Sequence, residues 1–417
     1  MNFRLQIFFF FVLCQFSFPQ DAGTRQEEKL RLVHADILRG QKMGEQKLRQ
    51  FIGNVMFRQG AATLTCERAT EYENTGRYVL YGDVAYVDTA KSLYGDKITY
   101  YESTKIAYVE GNVRLVDSTK TLTADRIRYH DEEEEAYATG HVCLVDAEEN
   151  IDLVGDNGEY KRNSGYAKVT GNAVLTKLDS ARTDTLLIYG LVFQMFDDGE
   201  RFLVTDSVRV LRGEIEAFCD SLEYFQEQSI IKLSNSPRVH QKRQYLTGQS
   251  VSLLMRESDV KAIHIVGHAI ASSIVDSAIT TPVPYDLLSG QDMMVYVTDE
   301  KIDSVLIQEQ ATSYYHVIED GEEKGLNKVL GDALFIRFQQ DTLSSVRVMS
   351  SPSSSVGQFH PPTHRTELEA ELRMELTRLN IVVQESEQST ASALIDSTKD
   401  DFPARIEQHE QTTDTEK

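Results

Sequence analysis

Four cysteines in 417 residues are too few and too scattered for a disulfide framework, and no two form a CxxC metal-binding pair. No stretch approaches the roughly eighteen consecutive apolar residues that a bilayer-crossing helix needs. Clustered lysine and arginine are missing as well. The net charge is −22, which argues against a nucleic-acid partner, since phosphate binding is driven by dense basic groups. Part of that charge is local, because Gln384–Lys417 holds nine acids against three bases. Tryptophan is absent and proline is scarce before Pro282, whereas tyrosine and phenylalanine are plentiful. This balance suits a strand-rich body joined by tight turns.

The first residues present a different pattern. Arg4 precedes an apolar run from Leu5 to Leu13, followed by a polar chain, and this reads as a signal peptide over residues 1–20. A soluble, exported protein is expected. Cys14 follows Leu13, where a lipoprotein signal needs a small residue, so lipidation is not expected. Of the remaining cysteines, Cys66 and Cys219 fill a slot that other parts of the chain give to alanine or glycine. They read as small buried residues.

A repeat dominates the rest. Gly53-Asn-Val, Gly82-Asp-Val, Gly111-Asn-Val, Gly140-His-Val and Gly171-Asn-Ala follow one another at spacings of 29, 29, 29 and 31 residues. Weaker copies centre on Asp206, Asn235 and Gly267, with Glu309 and Ser350 as two further marks. A second motif, apolar-x-small-Asp-x-apolar-x-aromatic, keeps step with the first, as in Leu93–Tyr100, Leu122–Tyr129, Leu153–Tyr160 and Ala217–Tyr224. Such double periodicity marks a repeat architecture.

Around each glycine the apolar residues alternate, as in Ala107, Val109, Gly111, Val113 and Leu115, which is the period of a strand with one buried face. That parity puts the glycine on the inward face, as a crease. In the second motif the inward parity switches at the aspartate, since Leu122 and Ala124 share one parity and Ile127 and Tyr129 the other. A bulge or corner is implied there. Asp36, Asp96, Asp125, Asp156 and Asp220 are then corner residues that accept backbone N–H groups. Calcium binding or catalysis at these positions is disfavoured, because Glu67, Gln249 and Gln291 take the same slot. Two creased strands per repeat, stacked at about 4.8 Å each, give a rod roughly 80–100 Å long with exposed edge strands at its ends. Glu132–Glu135 reads as a solvated turn. His264 and His268 flank a glycine in a strand and do not share a helix face. No catalytic constellation, cofactor site or metal site is expected.

The paired motifs resemble the OstA/LptA-like family of lipopolysaccharide-transport proteins over about residues 30–350. The resemblance implies an all-β fold, an elongated creased β-jellyroll or β-taco of stacked antiparallel strands, that shields acyl chains in an apolar groove. It implies a non-enzymatic periplasmic protein of outer-membrane assembly, associated with the outer membrane or bridging toward it. Lipopolysaccharide is the implied ligand, and other transport components, or copies of the chain itself, join by end-on strand pairing. Carried over, the groove wall consists of Phe51, Val55, Phe57, Leu80, Val84, Tyr86, Ile98, Tyr100, Val109, Val113, Leu115, Ile127, Tyr129, Val142, Leu144, Val169 and Leu175. The repeat count is about twice that of a single-module bridge. Plain core packing accounts for the same residues, and a structural or adhesive β-solenoid without ligand is the alternative function. A β-helix enzyme of the pectate-lyase type fits less well, since no acids cluster on an inward strand face.

The expected organisation is a signal peptide at 1–20, an OstA/LptA-like repeat module at 25–273 and irregularly spaced repeats at 274–350. A Pro/Ser linker at 351–363, an amphipathic helix at 364–383 and a disordered acidic tail at 384–417 complete it. In the helix Leu368, Leu372, Leu376 and Leu379 recur at helical spacing. Capping the last edge strand is its expected role, with partner docking as the alternative.

Overall fold

The computed structural model describes residues 31–378, apart from 89–90, 118–119, 131–132, 148–149, 179–184, 257–258, 276–283, 299–300, 320–321, 340–341, 351–353 and 365. The expected signal peptide and acidic tail lie outside the described residues. Within them the chain forms twenty-four strands of a single sheet and one α-helix, Thr366–Arg378. All strand pairs are antiparallel and nearly all join neighbours in sequence. Ile106–Asp117, for example, pairs with Lys120–His130 from Asp117↔Lys120 to Ile106↔His130.

Each long strand is interrupted once near its middle. Between Ile106–Asp117 and Lys120–His130 the register slips between Glu110 and Val113, so Gly111 and Asn112 together oppose Asp125. Both residues are left-handed, with φ of 75° and 46°, and two such residues in succession turn the strand sharply. The same doublet recurs at Gly53–Asn54, Gly82–Asp83, Gly140–His141, Gly171–Asn172, Asp206–Ser207, Asn235–Ser236, Gly267–His268 and Glu309–Gln310. Asparagine, aspartate and histidine recur in the second place because they tolerate this region better than other L-residues. Glu309 is therefore a true copy of the corner. Ser350 is not, having no left-handed doublet.

The corner glycine faces the opposite way from the parity expectation. A Cβ on Gly111 would overlap the carboxylate of Asp96, an exposed residue of the preceding strand. The vacant position points outward, because left-handed φ reverses the direction that simple alternation assigns. Each aspartate thus covers the glycine of the next repeat unit. Its carboxylate also takes a hydrogen bond from the following side chain: Asn112 Nδ2 donates to Asp96 Oδ2 at 3.0 Å, and Asn54 Nδ2 to Asp36 Oδ2 at 3.0 Å. Asp125 meets His141 Nδ1 at 2.9 Å. The small residue before the aspartate faces inward instead, and a Cβ on Gly95 would lie 2.7 Å from Val109 Cγ1.

The corners divide the sheet into two walls that close on one another. Phe51 and Phe57, on either side of the Gly53 corner, touch edge to face with ring centroids 5.3 Å apart. One continuous apolar cluster fills the space between the walls from Phe51 to Ile336. The irregularly spaced repeats after residue 284 contribute to the same cluster through Met293, Val305, Ile307 and Leu334.

The helix does not cover an edge strand. Leu368, Leu372 and Leu376 pack on Tyr245, Ile270, Leu287, Tyr314 and Leu326 in a second, separate cluster. These strand residues lie on the face opposite the main core, since Ile270 alternates with the core residues Ala269 and Ala271. Lys328, almost fully buried, donates to Glu371 Oε1 at 2.5 Å. That bond, above all, holds the Glu371 carboxyl below the ordinary glutamate range against the opposing effect of partial burial. A depressed folded pKa contributes stability above the unfolded value of 4.5, and this is lost as the pH falls through the folded value. Amide protection factors across 366–378, taken relative to intrinsic exchange at each pH, should therefore fall on acidification below about pH 4.5. Glu371→Gln should remove this pH dependence, while Leu372→Ala should loosen the helix at every pH, by about 2–3 kcal/mol. Protection factors in the wild type that ignore pH over this range would contradict the account.

Candidate functional site

Cross-strand register sorts the inward residues into rows. On the wall after each glycine corner, Leu93, Leu115, Leu122, Leu144, Leu153 and Leu175 stand side by side on successive strands. All six are buried, with exposures of 6% or less. On the facing wall, Tyr100, Ala107, Tyr129, Ala136, Tyr160 and Ala167 form the corresponding row. Nearer the crease, Val109, Ile127, Ala138, Gly158 and Val169 run parallel to it. The interior is a leucine surface set against a surface of alternating large and small residues.

Fifteen of the seventeen expected groove residues are buried members of the main cluster: Phe51, Val55, Phe57, Leu80, Val84, Ile98, Val109, Val113, Leu115, Ile127, Tyr129, Val142, Leu144, Val169 and Leu175. Tyr86 packs against that cluster, half-buried. Tyr100 is half-buried beside Tyr78, their ring centroids 6.4 Å apart. The expected set therefore converges on one surface. It omits Leu93, Leu122 and Leu153, although these open the second motif and alternate with Leu115 and Leu144 across the sheet. It also omits the alanines and Phe193, Met195 and Phe202, whose place follows only from strand pairing.

The walls are largely in contact. A recess of about 10 Å³ remains beside Leu153, Ala167, Val169, Phe193, Met195 and Phe202, far short of the roughly 300–1,000 Å³ of typical ligand pockets. Seating a ligand between the walls requires them to part. The loss in burial is then offset, because acyl chain replaces side chain as the apolar neighbour at about 25 cal/mol per Å² on both counts.

The thiols offer no nucleophile. Burial pushes the Cys66 thiol up to about 11 and the Cys219 thiol up to about 12, so neither forms appreciable thiolate at neutral pH. Both sit in the small inward slot before the corner. Cys143, half-buried, is also shifted upward, first by desolvation and then by Asp152. Among the described residues no cluster of three or more His, Cys, Asp or Glu is arranged to hold a metal ion. His264 Nε2 lies 2.7 Å from Asp292 Oδ2, a pairing across adjacent strands.

Both sheet edges carry apolar side chains into solvent. Leu32, Val33, Ile37 and Leu38 line the first edge, and Val348, Met349, Val356 and Phe359 line the last, each at least 39% exposed.

Three comparisons bear on this architecture. No curated protein matches the chain. The crystal structure of LptH, the LptA homologous periplasmic component of the conserved lipopolysaccharide transport device from Pseudomonas aeruginosa, aligns at 19% identity with a TM-score of 0.25. The alignment covers 28% of this chain and 82% of that one. Residues 27–185 match the family model described as OstA-like protein, a span that holds five of the glycine-led corners and both inward rows.

Proposed function

We propose that this protein carries lipopolysaccharide in the periplasm, shielding its acyl chains between the two walls and bridging toward the outer membrane without catalysing a reaction. The observation that carries the reading is the uninterrupted apolar cluster between the walls, in a chain whose N-terminal repeats are OstA-like. Acyl chains need a continuous dry surface and no reactive group. The exposed apolar edges suit end-on strand pairing with other transport components and with further copies of the chain. Leu38→Lys should weaken that pairing, seen as a loss of concentration-dependent light scattering.

Photo-crosslinking in cells tests the main claim. A crosslinker at Leu115 or Val142 should capture lipopolysaccharide, and depletion of the protein should raise outer-membrane permeability. A ligand-free structural or adhesive β-solenoid is the second reading, favoured by the near-complete contact between the walls. It predicts no adduct from any inward position and unchanged permeability, an outcome that would end the transport proposal.

A further inference from the structure

We infer that lipid occupies only the N-terminal half of the interior, in three furrows at Ala107, Ala136 and Ala167, and that Met195 and Phe202 form a stop beyond which the walls stay packed together. This rests on the lipid-carrying reading and adds where along the fold it applies. In the row Tyr100, Ala107, Tyr129, Ala136, Tyr160, Ala167, each alanine lies between bulkier neighbours. Each is the low point of its row once the walls part to seat a ligand, one every two strands, or about 10 Å. The middle low point continues toward the crease over Ala138, whose neighbour in the adjacent strand is Gly158. A side chain at Gly158 would only just reach Ala138 and Val142, at 3.5 Å.

The row then changes character. Beyond Ala167 it continues as Met195, Phe202, Tyr224, Ile231, Leu253 and Ile263, with no small residue among them. Phe202 is braced by Phe193, ring centroids 5.8 Å apart. A small recess is lined by Ala167 and Val169 together with Phe193, Met195 and Phe202, so the third alanine lies next to the stop. At the opposite end the same row passes from Tyr78 to Glu71 and Arg49. There Arg49 Nε lies 3.1 Å from Glu71 Oε2, and the Tyr78 hydroxyl donates to Glu71 at 3.3 Å. Charged groups thus close the row to an acyl chain on that side.

One further boundary falls at the same place. The OstA-like match ends at residue 185, where the strand Thr185–Phe196 that carries Met195 begins. The glycine-led corners run from Gly53 to Gly171, give way to Asp206 and Asn235, and return once at Gly267.

The test uses the full chain with a small aliphatic diazirine residue at Ala107, Ala136 or Ala167, or at Leu253, Ile263 or Val295 on the continuation of the row, irradiated with purified lipopolysaccharide. Adducts at the three alanines should exceed those at the other three positions by about tenfold, a difference worth about 1.4 kcal/mol of occupancy. Equal yields at all six positions overturn the inference while leaving lipid carriage standing. No adduct at any of the six overturns lipid carriage itself. In a Met195→Ala/Phe202→Ala variant, or in Met195→Ala alone should the double variant not fold, adducts should appear from a diazirine at Ile231. Their continued absence there would show that these side chains are not the stop.

Discussion

Gly111→Ala should lower the unfolding free energy by about 2–5 kcal/mol in urea titrations. Two costs combine. A Cβ in the left-handed region costs roughly 1–2 kcal/mol, and overlap with the Asp96 carboxylate adds an overpacking cost of about 1–3 kcal/mol. The two separate in a double-mutant cycle. Asp96→Ala alone should cost less than about 1.5 kcal/mol, the worth of its hydrogen bond from Asn112. In the Gly111→Ala/Asp96→Ala chain the overlap with the carboxylate is gone, leaving backbone strain and a 2.9 Å approach of the two Cβ atoms, so the double variant should be more stable than the sum of single effects by about 1 kcal/mol. Strict additivity would show that the aspartate does not cover the glycine. Asp206, at the same corner position with φ of 67°, supplies the reverse experiment. Asp206→Gly should stabilise the chain by several tenths of a kcal/mol, since glycine takes that conformation without the Cβ penalty.

The corner shows what a single sequence reveals and what it withholds. Strand alternation around Val109 and Val113 located the inward residues, and the parity switch at Asp125 located the bend, because both are properties of one strand. Parity assigns Gly111 the wrong direction for the same reason. Alternation assumes extended backbone on both sides, whereas the left-handed doublet Gly111–Asn112 reverses it. The partner of Asp96 also lay out of reach, since which glycine an aspartate covers depends on strand order, and here it is the glycine fifteen residues later. Leu93, Leu122 and Leu153 carry a local signal, as the first residues of the second motif. The alternation of Tyr129 with Ala136 does not, because it exists only across paired strands. The helix was legible from Leu368, Leu372 and Leu376, but its seat on the outer face near Tyr314 and Leu326 depends on residues scattered over five strands, not on its own pattern.

Leu144→Asp carries the largest expected loss of stability, and its pH dependence distinguishes a buried row from a tolerant surface. Leu144 is 4% exposed and lies between Leu122 and Leu153 in the leucine row. Losing its side chain costs about 2–5 kcal/mol, and a carboxylate confined there without a partner adds a desolvation penalty that the group escapes by protonating. The folded pKa of the new carboxyl is therefore raised. The charge penalty is absent below the unfolded value of about 3.9 and grows as the pH rises through it. Leu144→Asn bears the packing loss without the charge, so the two variants should have similar stability near pH 4 and diverge toward pH 7, with the aspartate the weaker. Because each strand contacts chiefly its neighbours, the damage should be local. Limited proteolysis at neutral pH should cut first between residues 117 and 151, while the strands after residue 284 stay protected. Equal stability of the two variants at pH 7 would mean that water reaches Leu144, and that the walls stand open at the leucine row even without lipid.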